Sequence, residues 1–420
     1  MIKKADNGAI QYDVIVIGGG ASGMMAAGKA AELGKKVLII EKNKFLGEKL
    51  KISGGGRCNI TNAEEDIQKY LDHYKSAKQF LFSAFAQFSN KDTFTFFEKL
   101  ELPLVVQARK RAFPHTEKSL DVFKALERYM KLGKVTVLPN SKISLIERTN
   151  DMITGVVTAS GVTYTAKSYI LATGGLSHPE TGSTGDGFNW LKVLGHTVTT
   201  PTPTIVPLAV KEQWVKELAG VSLSFMKIAF YAEGKKKITK TGKLLFTHFG
   251  LSGPLILNVA GDVDDLLQEG IVTATIDAYP DTDHGALEQK IISVFDTNKN
   301  KILKNVFDDI VPHGMIEAVF SLLPGLDKEL KVHSVTKEQR KELVNLLKAL
   351  PMTITGLMGY DRAVVADGGI PLTEMDMKTM RSKCIKNLYI TGDLLHITRP
   401  SGGFSLQLCW TTGFIAGLNA

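Results

Sequence analysis

The chain has little cysteine and no long apolar run, and both shortages narrow what it can be. Its three cysteines, Cys58, Cys384 and Cys409, are far apart, odd in number and outside any Cys-x-x-Cys or Cys/His ligand spacing, so neither structural disulfides nor a metal site is expected. No stretch approaches the ~18 apolar residues of a membrane helix. The N-terminus, MIKKADNGAIQYD, lacks the apolar core of a signal peptide, and a cytoplasmic location is expected. A second nucleotide-binding glycine fingerprint is also missing, as is a redox-active cysteine pair. A net charge of +8 would permit an anionic partner, but the basic residues are dispersed apart from Lys235 to Lys237 and the group Arg109, Lys110, Arg111. The lysine triplet reads as a solvated hairpin turn, so the expected partner is a small molecule, with neither membrane nor nucleic acid. What remains, 44% hydrophobic and 22% charged over 420 residues, is the balance of a globular protein of two or three domains.

The most informative stretch is residues 12–41, YDVIVIGGGASGMMAAGKAAELGKKVLIIE. A short apolar run is followed by Gly18, Gly20 and Gly23 in G-x-G-x-x-G spacing. An alanine-rich helical pattern from Ala21 and Ser22 comes next, then a second apolar run. Gly18 permits a sharp turn, Gly20 lets backbone approach a pyrophosphate, and Gly23 lets helix pack on strand. The helix N-terminus presents unpaired N–H groups and positive dipole to phosphate. Glu41 ends the second run, where a carboxylate accepts ribose hydroxyls, with Lys42 beside it. The pattern predicts a dinucleotide site.

Further along, Lys49 precedes Gly54, Gly55 and Gly56, then Arg57, Cys58 and Asn59. Three successive glycines disfavour a helix and favour close approach of backbone to something flat or charged. Short strands are expected at residues 135–138, 143–146, 153–157 and 162–166, and another at 168–172. From Thr197 the sequence turns proline-rich and β-branched, as at a domain crossing. Residues 283–350 are glycine-poor and helically periodic, and strands return after 351.

GGGRCNITN resembles the signature of the YhiN/BaiN-like flavoproteins, and later motifs extend the likeness along nearly the whole chain: RKRAFPHTEK, SHPETGSTGDG, KLLFTHFGLSGP and ITGDLLHITRPSGGFSLQ. The resemblance implies an α/β fold: a discontinuous Rossmann-type FAD-binding domain (residues 1–196 and 351–420), an inserted mainly-β domain (197–280) and a small helical subdomain (281–350). It implies FAD contacts from the residues already named, from the backbone near Ile143 at the adenine, from Ala172, Thr173 and Gly174, and from Gly392 and Asp393 at the ribityl chain. The helix start at Gly402, Gly403 and Phe404 would face the flavin's pyrimidine end. Arg57, Arg111 and His115 are candidates on the substrate side, and His248, His396 and Arg399 for proton transfer. Where family members commonly read Gly-Glu-x-x-Asp, this chain has Asp393 and His396, so substrate choice is the least transferable property.

With one glycine fingerprint, FAD is expected to stay bound and NAD(P)H to visit as a transient donor. The expected activity is an FAD-dependent oxidoreductase reducing a small enone-like substrate. The alternatives are a flavin amine oxidase, an FAD-dependent tRNA-modifying enzyme, or a flavin redox sensor.

Overall fold

The computed structural model describes residues 11–420; the first ten residues, on which the absence of a signal-peptide core was read, lie outside the described part. The chain divides into two compact units. One comprises the chain up to Pro203 together with Val364–Ala420, and the other is Thr204–Ala363.

The first unit is built on a five-stranded parallel sheet in the order Leu388–Ile390, Ala166–Leu171, Tyr12–Ile17, Val37–Ile40, Thr136–Leu138. Val14, Ile15 and Val16 have no exposed surface. That burial on both faces explains why these strands read as continuous apolar runs rather than alternating ones. Val14 pairs with Val37 on one side and with Ser168 on the other, which puts the first strand near the middle of the sheet. The alanine-rich helix Ala21–Glu32 packs against the C-terminal helix Phe404–Asn419. Their axes approach closely because Gly413 faces the carbonyl of Ser22; a Cβ there would lie 2.4 Å from that oxygen.

This unit also holds two three-stranded antiparallel sheets. One is the expected meander, Ile143–Thr149, Met152–Thr158 and Thr163–Tyr164. Of the phenylalanines in residues 80–97, Phe80, Phe85, Phe88 and Phe97 are buried core, and Phe82 is exposed.

The second unit contains a closed six-stranded barrel. Its circular order is Leu208–Val210, Gly250–Ser252, Lys235–Thr247, Ser222–Ala232, Val272–Asp277 and Leu350–Leu357. The two long strands form a hairpin joined by Glu233 and Gly234, both at positive φ (52° and 71°), the primed turn that matches strand twist. Pro254 occupies the first position of helix Pro254–Glu269, whose Ile256, Ala260 and Val263 are fully buried.

The expected division of this region needs correction. The helices His284–Thr297 and Lys337–Lys348 share one continuous core with the barrel through Leu287, Ile291, Leu343 and Leu347, so they are no separate subdomain. The last barrel strand, Leu350–Leu357, follows those helices in sequence and pairs with both Leu208–Val210 and Val272–Asp277. The chain returns to the first unit only at Val364, and not at residue 351 as expected.

Candidate functional site

The glycine cradle separates into packing and open positions. A Cβ on Gly18 (φ 102°) would lie 2.6 Å from the Ala172 carbonyl oxygen, and one on Gly23 would lie 2.0 Å from the Gly18 oxygen. Gly20, which caps helix Ala21–Glu32, has nothing within 4 Å of its Cβ position. The space in front of the helix N-terminus is therefore open, as a phosphate requires. The Ser22 hydroxyl instead bonds the buried Thr391 Oγ1 at 3.1 Å, so at Ser22, as at Ala21, a phosphate would meet backbone rather than side chain.

Glu41 is buried at the end of the second strand. Its carboxylate accepts the Gly19 N–H at 2.7 Å and the Asn43 N–H at 2.8 Å, which fixes its orientation and leaves lone pairs for hydroxyl donors. Lys42 is engaged: its Nζ donates to Thr184 Oγ1 (2.5 Å) and Asp186 Oδ2 (2.8 Å). Burial alone would raise the Asp186 carboxyl, but this lysine outweighs it and holds it below the usual range. Beside Asp186 lies a cavity of about 380 Å³ lined by Lys142, Ile143, Ser144, Ala159, Asn189 and Trp190. It is large enough for a purine, and it includes Ile143.

The loop after Lys49 is shaped by Gly54, Gly55 and Gly56, all at positive φ, with open space beyond the last two. Arg57 ion-pairs with Glu117 (2.8 Å), bonds Gln107 (2.8 Å) and lies 4.5 Å over the Phe113 ring. Arg111 is half-buried and donates to the Ala108 carbonyl; His115 is exposed. Cys58 has no exposed surface, and burial pushes its thiol up to about 12, so it offers no thiolate to a flavin. Asn59, with its amide nitrogen donating to Ala112 O and Thr61 O, accepts the Gly403 N–H at 3.0 Å. It ties this loop to the C-terminal motif.

On the carboxyl end of Ala166–Leu171, the Ala172 N–H donates to Ile17 O at 2.9 Å and the chain turns through Thr173 and Gly174 (φ 71°). The Lys49 ammonium donates to Ser177 Oγ at 3.1 Å; burial lowers its pKa, against the pull of Asp393.

The C-terminal motif gathers the densest charge. Gly392 (φ 62°) donates to Thr412 Oγ1 at 3.0 Å, and Asp393 follows it at the end of the strand. Arg399, 4% exposed, bonds Asp393 through Nη2, Ile397 O through Nη1 (2.7 Å) and Ser405 Oγ through Nε (3.2 Å). Burial opposes its charge, but Asp393 and Asp367 overcome this and raise its pKa. The guanidinium, held by these partners, fixes the orientation of the Asp393 carboxylate. His396 is half-buried, with its backbone N–H on Ile370 O.

Phe404 is the first residue of the C-terminal helix. Its side chain lies in the core, with ring centroids 5.1 Å from Tyr70 and 4.3 Å from His73. At this helix N-terminus the Gly403 N–H is taken by Asn59, which leaves the backbone N–H groups of Gly402 and Phe404. His248 belongs to the barrel unit, exposed between Thr247 and Gly250 and edge-on to Phe249.

Two features carry no sequence signal. Asp367 has a buried Oδ1 without a hydrogen-bond partner; burial raises its pKa, against the attraction of Arg399. His196, 4% exposed, joins Glu374 (Nδ1 to Oε2, 2.7 Å) and Ser382 (Nε2 to Oγ, 2.9 Å). Ser382 Oγ also accepts the N–H groups of Cys384 and Ile385, so its own hydrogen goes to His196 and the imidazole donates to Glu374. Every lone pair of the ring is used. This is a structural clasp, neither a nucleophile nor an open ligand set, although the Cys384 thiol lies nearby.

The family model described as HI0933-like protein Rossmann domain matches residues 12–419. The chain belongs to this HI0933-like family. It is 27% identical over 409 residues to the ribosomal RNA dihydrouridine synthase of Haemophilus influenzae, covering 96% of this chain and 97% of that one. It is also 27% identical over 405 residues to the 3-dehydro-bile acid delta(4,6)-reductase of Clostridium scindens, again covering 96% and 97%. Among solved structures, the 3-ketosteroid-Δ4-(5α)-dehydrogenase of Rhodococcus jostii RHA1 superposes with a TM-score of 0.56 at 13% identity, covering 99% of this chain and 98% of that one, which shows a shared fold. By family and fold this HI0933-like protein is an FAD-dependent oxidoreductase. Its open cradle at Gly20, the oriented Glu41 carboxylate and the cavity at Ile143 fit the phosphates, ribose and adenine of FAD. Among the described residues no helix is long and apolar enough to cross a membrane.

Proposed function

We propose that the protein reduces a carbon–carbon double bond conjugated to a carbonyl, drawing electrons from NADH or NADPH through bound FAD. The observation that carries this is the pair of full-length relatives. A Δ4,6-reductase of 3-dehydro-bile acids and a dihydrouridine synthase act on different molecules, yet both names describe saturation of an alkene conjugated to a carbonyl. FAD supplies the hydride carrier. Glu41 and the Gly20 helix N-terminus bind its adenosine and phosphates. Arg399 fixes Asp393, whose carboxylate would accept the ribityl hydroxyls. When hydride reaches the β-carbon, negative charge develops on the substrate carbonyl, and a half-buried imidazole such as His396 can deliver the proton that completes the product. Lys49 and the N-terminus of Phe404–Asn419 are cationic or dipolar groups suited to that negative charge.

The test is anaerobic. Bleaching of the flavin band by NADH or NADPH, followed by recovery on adding an enone, supports a nicotinamide-fed reductase. Bleaching by small amines, with nicotinamides inert, supports an oxidase instead. One observation favours a uracil of RNA as the carrier of the double bond: the lysine-dense hairpin of the barrel unit.

A further inference from the structure

Residues 204–363 carry 19 Lys and Arg against 20 Asp and Glu, so the barrel unit is close to neutral as a whole. Its charge is nonetheless concentrated. The hairpin of Ser222–Ala232 and Lys235–Thr247 holds six lysines (227, 235, 236, 237, 240 and 243) and one acid, Glu233. All but the half-buried Lys227 are exposed. Among the described residues one of the six, Lys237, makes an ion pair, with Glu269 at 3.3 Å. Lysines often guard the open edge of a sheet against pairing with other chains. Here residues 235–244 are paired on one side only, because the next strand meets this one at Leu245–Thr247, so the lysines there also protect that edge.

The same hairpin presents aromatic surface. Phe225 is 72% exposed and at φ 59°, a strained conformation for a phenylalanine. It lies where the strand register slips between Leu223↔Leu244 and Met226↔Gly242, which places it across from Lys243. Tyr231 lies under the Lys236 ammonium, 5.9 Å from ring centre to Nζ. Cations on both faces of one hairpin, with an exposed ring beside Lys243, can track a phosphodiester backbone and stack an unpaired base.

We propose that this hairpin is a docking surface for single-stranded or looped RNA. The proposal rests on the reading that the reduced double bond lies in a uracil. An anionic membrane would meet the same lysines, but gains nothing specific from one ring held in a bulge.

The test uses the oxidised, FAD-loaded protein without an electron donor, a fluorescein-labelled single-stranded RNA of mixed sequence, and fluorescence anisotropy across a salt series. K236A/K240A/K243A is expected to lower affinity roughly tenfold or more and to flatten the dependence of log affinity on log salt by about 2, three contacts at about 0.7 each. F225A is expected to lower affinity about five- to 150-fold with the salt slope unchanged. Unchanged FAD content and melting temperature show that both variants fold. RNA binding indifferent to all four substitutions would overturn the proposal. So would capture by phosphatidylglycerol vesicles, lost in the triple variant, with no RNA binding. Because binding is read without turnover, a protein that binds RNA here but reduces no uracil would end the substrate reading and leave the docking surface standing.

Discussion

Arg399 and Asp393 form a closed pair at the end of strand Leu388–Ile390, with 1% and 15% of their side chains exposed. The other guanidinium nitrogens are on Ile397 O and Ser405 Oγ, so one cation organises both the acid and the turn into the C-terminal helix. Arg399→Ala leaves a largely buried carboxylate uncompensated and should cost about 3–5 kcal/mol in chemical denaturation. Arg399→Lys keeps the charge but loses the fork, and should fall between that variant and the parent in both stability and FAD content. Equal stability of all three would show the pair to be incidental.

Gly20 and Gly23 should separate binding from folding. At Gly20 a methyl group meets no protein atom but occupies the space of a phosphate, so Gly20→Ala should cost the fold no more than about 1 kcal/mol while weakening FAD binding about tenfold or more. At Gly23 the added methyl meets the Gly18 carbonyl, and the fold itself should lose about 1–3 kcal/mol. Titration of apoprotein with FAD beside thermal melts distinguishes the two.

The His196 clasp predicts a pH dependence of stability. Burial would raise the Glu374 carboxyl, but the hydrogen bonds from Thr197 and His196 outweigh it and hold it below its ordinary value of 4.5. A depressed acid stabilises the fold above its unfolded pKa, and that contribution is lost as pH falls through the folded pKa. Glu374→Gln should therefore melt below the parent at pH 7, and the gap should narrow below about pH 4. A constant gap across that range would contradict this.

Cys58 should be chemically silent. With its thiol pushed up to about 12 and no exposed surface, it should resist Ellman's reagent at pH 8 until the protein is unfolded. Acid denaturation should release intact FAD, since no thiolate is available for a covalent link. Flavin retained on the precipitated chain would refute this.

The parts of this site that were legible in sequence are those whose chemistry is local. The strand, glycine triplet, helix and Glu41 lie within thirty residues, and each constrains its neighbours through backbone geometry. The lysine triplet, expected in a hairpin turn, instead opens the strand Lys235–Thr247, and the turn is Glu233–Gly234. Asp367 was not legible, because an acid before two glycines reads as a turn and its isolation is created by packing. Nor was the clasp, whose His196 and Glu374 are brought together across 178 positions. Arg399 and Asp393 both stand out in the sequence, but six residues apart in a loop they give no sign of pairing. The sequence does not reveal which unit holds the barrel's last strand, because closure of a sheet is a long-range event, invisible in the alternation of residues 350–357.

The most direct test of the proposed chemistry is a single turnover under anaerobic conditions. The flavin is reduced beforehand in deuterated buffer, then mixed with a conjugated enone and, separately, with its saturated ketone. Rapid return of the oxidised flavin spectrum with the enone alone, with product two deuterium atoms heavier, one on the α-carbon and one on the β-carbon, is the predicted result. A reduced flavin that is reoxidised by neither compound, but readily by oxygen after reduction with an amine, would contradict the account.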